Sequence, residues 1–454
     1  MERDADAKKR LLRESLQFRE ESIETLEQAM PYFFWNQGVR VHYLALIQAE
    51  LARIEKNDTL RVKLLEDASE SAKRCINLCL KDGTLGREQH AVLGGYYFDF
   101  GGILNRLYEL TGTSELLARL VKVFEGAIKA YKKAGLASRV AEGHWQLARA
   151  QNKLQNYIGS AESFEAASES YEVTANKLLR LKSFYLEYAR YMQAWSEIEK
   201  ARHHHARQEH YQAMTCYEKV SVLHESLKSW KHFAPNYLAW VRLEQGEGLS
   251  RGDKTQEARQ AFRKAAELFS EAKKTLQDKL ETIENADEKN LTGKLIKASD
   301  TRKAYCLGRV LVEEGKILDR KGDCLASSKK YRLAANMFQE IAEVEPEQSR
   351  RELLPIIYLC QAWQKMMMAE ARTSSKLYGE AAKLFNTAKK HTIDKQTSLL
   401  ALANSSFCRA LEAGTEFEIT RSMAEYSTAK RHLEAASSFY LKSGFKSASE
   451  YARA

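Results

Sequence analysis

The chain has 454 residues, with 71 Lys and Arg against 61 Asp and Glu for a net charge of +10, and only 4 prolines. That length exceeds a single globular core, so several domains or a repeat array are expected, and long runs of Ala, Leu, Glu, Lys and Arg make the class all-α. No apolar stretch is long enough to span a membrane, and the charged N-terminus MERDADAKKRLLRESLQFREES lacks a signal-peptide core; a cytoplasmic chain with no membrane partner is expected.

Residues 1–110 are the least regular. They hold the aromatic stretch MPYFFWNQG and the Gly-paired LGGYYFDFGG at 93–102, and are expected to form an N-terminal cap with the first hairpins. Residues 111–454 are expected to form a repeat array. One stripe recurs eight times from there and just before: a large residue, then small, large and small residues at steps of 3, 4 and 3. Such a stripe lies on one face of a helix. It appears as Leu65, Ala68, Ala72 and Cys75, as Phe124, Ala127, Tyr131 and Ala134, and as Tyr157, Ser160, Phe164 and Ala167. It begins again at His210, Thr255, Tyr331, Tyr378 and Tyr426. Small residues alternating with rings are what close helix stacking needs, because the small side chain admits a neighbour's ring.

Three tryptophans open a matching first helix. Trp195, Trp240 and Trp363 each follow an alanine and precede, by six residues, Ala201, Gly246 and Ala369. Offsets 18, 22 and 25 then reach Ala213, Tyr217 and Val220, then Ala258, Phe262 and Ala265, then Ala381, Phe385 and Ala388. A pattern shared across a whole helix pair means repeated hairpins, each burying its face on the next. The expected architecture is therefore an α-solenoid of about eight hairpins. Successive stripes start 33 to 76 residues apart, so several helices must be unusually long, at roughly 30–42 Å. Helices are expected over 257–283 and 293–321, with ENADEKNLTG as the flexible loop between them. All four prolines, at 31, 235, 346 and 355, are expected at helix boundaries. After Gly444 a last amphipathic helix begins with nothing to cover it, so the chain reads as cut from something longer or capped by another subunit, and removing 445–454 is expected to matter little.

The motif set resembles the tetratricopeptide repeat superfamily. The Trp-x2-Leu start, the Tyr-x2-Ala-x3-Phe second helix and Pro346 eight residues after Phe338 carry the likeness. The period departs from the family's, and Glu199, Glu244 and Met367 stand where the family places glycine. Stretches such as EYARYMQAWSEIEKARHHHARQEHY also look like helical-repeat regions of large archaeal multidomain proteins. The resemblance implies a binding fold and transfers no active site.

Other constellations read as structure. His203, His204, His205 and His210 cannot converge on one metal, since consecutive helical residues diverge and His203 to His210 spans roughly 10 Å; a polar helix end is expected. Asp99, Phe100 and Gly101 spell a kinase tripeptide without the rest of that set, so a helix with close-approach glycines is expected. Cys75 and Cys79, like the other cysteines, are expected to be buried apolar residues. Trp195, Trp240 and Trp363 are expected between helices, and the Met366–Met368 run at a core boundary. No cofactor and no metal are expected.

The expected function is a non-enzymatic scaffold that binds a peptide or protein segment in the groove of the first helices. Its candidate contacts are Trp145, Arg149, Asn152, Arg202, His205 and Glu247, polar or aromatic residues on otherwise apolar first helices. The alternative is a nucleic-acid-binding regulator that uses the +10 charge, although basic and acidic residues are interleaved throughout.

Overall fold

The computed structural model describes residues 2–454, and its regular structure there is helical throughout. The helices run, in order, α1 Glu2–Ala29, α2 Phe34–Ile54, α3 Asp58–Lys81, α4 Arg87–Thr111, α5 Ser114–Ala134, α6 Ala137–Lys153, α7 Tyr157–Lys177, α8 Lys182–Ala206 and α9 His210–Glu225. They continue as α10 Ala234–Arg251, α11 Thr255–Leu280, α12 Ala286–Arg320, α13 Cys324–Val344, α14 Glu347–Arg372, α15 Ser375–His391, α16 Lys395–Thr420, α17 Met423–Lys442 and α18 Lys446–Tyr451. The chain divides into two compact units, one of residues 1–207 and 222–231 and the other of residues 208–221 and 232–454. Within the first, α1 to α8 pack each on the next; within the second, α10 to α18 do the same. Each unit is thus a solenoid-type stack of antiparallel helices.

All eight sequence stripes fall on odd-numbered helices, α3 to α17, and the even-numbered α2 to α16 are the first helices of the pairs. Seven stripes are buried almost throughout, with Tyr157 half-buried at the start of one. The eighth departs: Tyr426 is exposed and Leu433 half-buried, while Ala436 is enclosed. The reason is coverage. Among the described residues, α18, six residues long, covers α17 at its C-terminal half.

Four interhelical turns share one backbone form. Seven residues after Ala148, Ala201, Gly246 and Gly315 stand Gln155, Gln208, Asp253 and Gly322, all with positive φ. In three of them two backbone bonds close the helix in the same way. Gln155 N donates to Asn152 O and Asn156 N to Gln151 O, Asp253 N to Ser250 O and Lys254 N to Leu249 O, Gly322 N to Asp319 O and Asp323 N to Leu318 O. This left-handed closure satisfies carbonyls that a helix end leaves open. Asn156 and Asp323 then cap the following helix, accepting from Gly159 N and Ala326 N.

The common turn fixes a common register. In the three of these pairs that lie within one unit, twelve and sixteen residues after the small residue come Ser160 and Phe164, Ala258 and Phe262, Ser327 and Tyr331. Ser160 Oγ and Ser327 Oγ donate to the carbonyls of Ala148 and Gly315 at 2.9 Å each, which places small residue on small residue. The ring one turn later then lies on the facing backbone. A Cβ added at Gly246 would meet the Phe262 ring at 2.7 Å, and one at Gly315 the Tyr331 ring at 2.9 Å. The α4–α5 pair does this twice. Gly94 lies under Tyr131 and Gly101 under Phe124, with the first clash at 2.5 Å in each case. The LGGYYFDFGG stretch is thus a helix with glycines at a close approach; Gly101 belongs to that packing and Phe100 is buried, while Asp99 is exposed. Residues 2–111 hold α1 to α4, continuous with α5 in the first unit.

Three expectations are corrected. Asn285 caps α12 by accepting from Glu288 N at 3.0 Å, so the loop is 281–285 and the helix already includes 286–292, where Asp287 and Glu288 suit its positive end. Pro355 lies inside α14, not at its boundary; it removes one N–H and costs about 3 kcal/mol in a helix interior, and the burial of Ile357, Leu359, Cys360 and Ala362 just beyond it opposes that loss. The terminal helix docks. Ala452 is buried with Ala403, Ala436 and Tyr440, Phe445 and Ala448 pack on them, and Arg453 Nε donates to Ser437 Oγ at 3.0 Å. Removing 445–454 therefore strips a covered face of α16 and α17.

Gly101 and its neighbour Gly102 separate packing from propensity. Around Gly102 nothing lies within 4 Å of an added Cβ. Gly102→Ala is expected to stabilise by up to about 1 kcal/mol. Gly101→Ala is expected to destabilise by about 1–3 kcal/mol, because the Phe124 ring must move. Thermal denaturation of the two variants distinguishes these signs.

Candidate binding site on the first helices

The even-numbered helices carry the polar groups, and in each unit neighbouring first helices are tied through buried carboxylates. In the first unit Trp145, Arg149 and Asn152 follow one another along one side of α6 at helical spacing. Asn152 Nδ2 donates to Glu199 Oε2 on α8 at 2.6 Å, and Arg202 Nη1 donates to Glu199 Oε1 at 2.7 Å. Glu199 is 1% exposed. Burial raises its carboxyl above the usual range, against the opposing pull of Arg202 and the hydrogen bonds from Asn152 and Arg202.

Trp145 is half-buried, with its ring edge-on to Tyr188 and Tyr191 of α8. Tyr191 in turn stacks on Trp230 at 4.0 Å. Trp145 therefore sits at the margin of an aromatic layer. Trp195 stacks on Phe164, Trp240 on Tyr217 and against Phe269, and Trp363 meets Tyr331 and Phe385. These three are half-buried between helices, as their register requires. Of the other candidates, Arg149 and His205 are exposed and Arg202 is half-buried.

Glu247, the candidate on the second unit, is enclosed and takes no part in an open face. It is 7% exposed, accepts from Tyr305 Oη at 2.9 Å and pairs with Arg309 Nη2 at 3.1 Å. A connected network extends from it between α10 and α12. Ser250 Oγ donates to Glu313 Oε1 at 2.6 Å, Lys316 Nζ approaches the same oxygen at 2.9 Å, and Arg309 Nη2 also reaches Ser250 Oγ at 3.0 Å. Arg309 lies over the Phe262 ring at 4.9 Å. Burial works against its charge, yet Glu247, Tyr305 and Glu313 hold the guanidinium above its ordinary range. Burial, then Glu247 beside it, push the Tyr305 hydroxyl well up. The sequence signal for this network was Tyr305, Arg309, Glu313 and Lys316, at steps of four, four and three along one helix. It was overlooked because charges at that spacing ordinarily mark a solvated face.

The first unit has a further tie between first helices. His42 on α2 lies 3.3 Å from Asp99 on α4 and 4.1 Å from the Tyr96 ring. Burial lowers the His42 pKa to about 4, so at neutral pH this is a neutral imidazole beside a carboxylate.

The histidine run is interrupted. α8 ends at Ala206 and α9 begins at His210, so His203 and His210 do not share a helix face as a continuous helix would require. His210 is buried with Nδ1 2.8 Å from Glu244 Oε2. The cysteines are free, and all but the half-buried Cys324 are enclosed. Met367 is buried, with Met366 and Met368 half-buried beside it. Among the described residues no helix is long and apolar enough to cross a membrane.

Neither a protein-family model nor a curated protein matches this chain. One solved structure, described as a circular tandem repeat protein with novel repeat topology and enhanced subunit contact surfaces, aligns over 99% of this chain and 100% of its own at 13% identity. Its TM-score is 0.20.

The raised Glu199 carboxyl gives a signed prediction. A carboxyl that holds its proton more tightly when folded costs stability at neutral pH, and the cost is relieved as pH falls through its folded pKa. Glu199→Gln, whose oxygen can still accept from Arg202 while its amide N–H donates to a turned-over Asn152 Oδ1, is therefore expected to raise the thermal midpoint at neutral pH, with the gain shrinking under acid. A variant less stable at neutral pH would contradict the dominance of desolvation.

Proposed function

We propose that this chain is a non-enzymatic, TPR-like scaffold of the cytoplasm that holds a peptide or protein segment against its first helices, within a signalling or regulatory assembly. The observation that carries the reading is the tying of neighbouring first helices by buried carboxylates. Asn152 to Glu199 joins α6 to α8, and Tyr305, Arg309 and Ser250 join α10 to α12. Side chains beside such ties lose little freedom on binding, which lowers the cost of capturing a flexible segment. The likeness to tetratricopeptide repeats is supported by the shared turn and the small, small and aromatic register of three hairpins. The length of α12, 35 residues, is foreign to that pattern. Seven free thiols support a reducing compartment. Arg149, Arg202 and His205 are the contacts proposed on the first unit, with Trp145 at their margin.

A photo-crosslinking residue placed at Arg149, on a first helix, and at Glu162, exposed on a second helix, tests this. In a nuclease-treated lysate the first position is expected to trap one defined protein segment and the second none. Equal trapping at both positions would remove the first helices from the account. Trapping that disappears with nuclease would favour nucleic acid.

A further inference from the structure

The turn between α7 and α8 presents a run of exposed apolar residues. Residues 176–184 are exposed without interruption. Four of them are large and apolar: Leu178 is 46% exposed, Leu179 74%, Leu181 48% and Phe184 50%. Lys177, Arg180 and Lys182 alternate with them, and no Asp or Glu occurs from 173 to 186. The turn is closed by its own backbone, with Leu178 N donating to Thr174 O and Leu181 N to Leu178 O, each at 2.9 Å. The leucines are therefore not what holds the fold here. Phe184 roots the tip on the aromatic layer, against Tyr185 and Tyr188.

We propose that this tip is a docking point for an anionic lipid bilayer, into whose headgroup region Leu178, Leu179, Leu181 and Phe184 insert while Lys177, Arg180 and Lys182 meet the lipid phosphates and carboxylates. Contiguous exposed apolar side chains mark an interaction surface, whereas single ones do not. Two features choose the bilayer over a protein partner. A stable protein interface needs about 800 Å² from each side, more than one nine-residue turn offers. A bilayer needs only a few inserted apolar groups joined to a cationic rim, and the two signals together give binding that neither gives alone. The net positive, carboxylate-free segment supplies the complementary charge. The inference concerns a surface contact and is separate from membrane spanning; it also lies apart from the segment-binding residues on α6 and α8.

The test is flotation of the full chain with phosphatidylcholine vesicles, with and without phosphatidylserine. The chain is expected to float with the phosphatidylserine vesicles and to lose them as salt rises. Leu179→Ser with Leu181→Ser is expected to reduce the bound fraction by roughly tenfold or more, and Lys177→Glu with Arg180→Glu and Lys182→Glu to abolish the preference for phosphatidylserine. An unchanged thermal midpoint in both variants shows that the fold is intact. Absence of flotation by the unaltered chain overturns the proposal, as does flotation that the variants leave unchanged. An acidic protein segment that binds these residues while vesicles do not would overturn it in favour of a protein partner.

Discussion

Much of this structure depends on one contact: an aromatic ring of a second helix seated on a residue too small to hold it off. Where that residue is glycine the ring touches backbone, as Phe262 does at Gly246 and Phe124 at Gly101. Close-packed interiors tolerate neither a gap nor an extra carbon at such a place. The contact therefore fixes how near two helices come and which turn of one faces which turn of the other. The shared turn is its counterpart at the helix end. It returns the chain at a set distance from the small residue, so that the small residue and the ring arrive in register.

With hairpin geometry set by apolar contacts, polar groups are free to serve between hairpins. The first helices are joined by carboxylates that burial would ordinarily disfavour. Glu199, Glu247 and Glu313 each collect donors from neighbouring groups, and Arg309 stays charged because carboxylates surround it. Such ties are weak sources of stability. Their effect is on order: unmatched buried charge makes alternative arrangements of the helices expensive. The same economy explains why the α7–α8 tip is conspicuous. Nothing in the packing requires Leu179 to be apolar, since backbone bonds already close that turn.

The architecture was legible because the ring-on-small contact repeats at fixed spacing. All eight stripes were found, each on a helix, along with the tryptophans between helices and the glycines at close approach. Failures came where one residue type serves two environments. Asp and Asn near 285 signal both a loop and a helix cap, and the chain used the cap. Pro355 reads as a boundary, yet a helix buried beyond it can carry it. The terminal helix looked uncovered because sequence does not show which face of α16 and α17 it meets. Among the candidate site residues, Glu247 was misplaced for the same reason. A charged residue at helical spacing can face solvent or a buried partner, and only the facing Tyr305 and Arg309 decide between them.

The central claim is that the ring and the small residue act as a single unit, and a double-mutant cycle on Gly246 and Phe262 measures that directly. Gly246→Ala should destabilise the unaltered chain by about 1–3 kcal/mol. In a Phe262→Leu background, where the flexible side chain can withdraw, the same substitution should become neutral or stabilising, as alanine's helix propensity alone predicts. An equal cost in both backgrounds would mean that the ring does not set the register, and the account of the fold would fail with it.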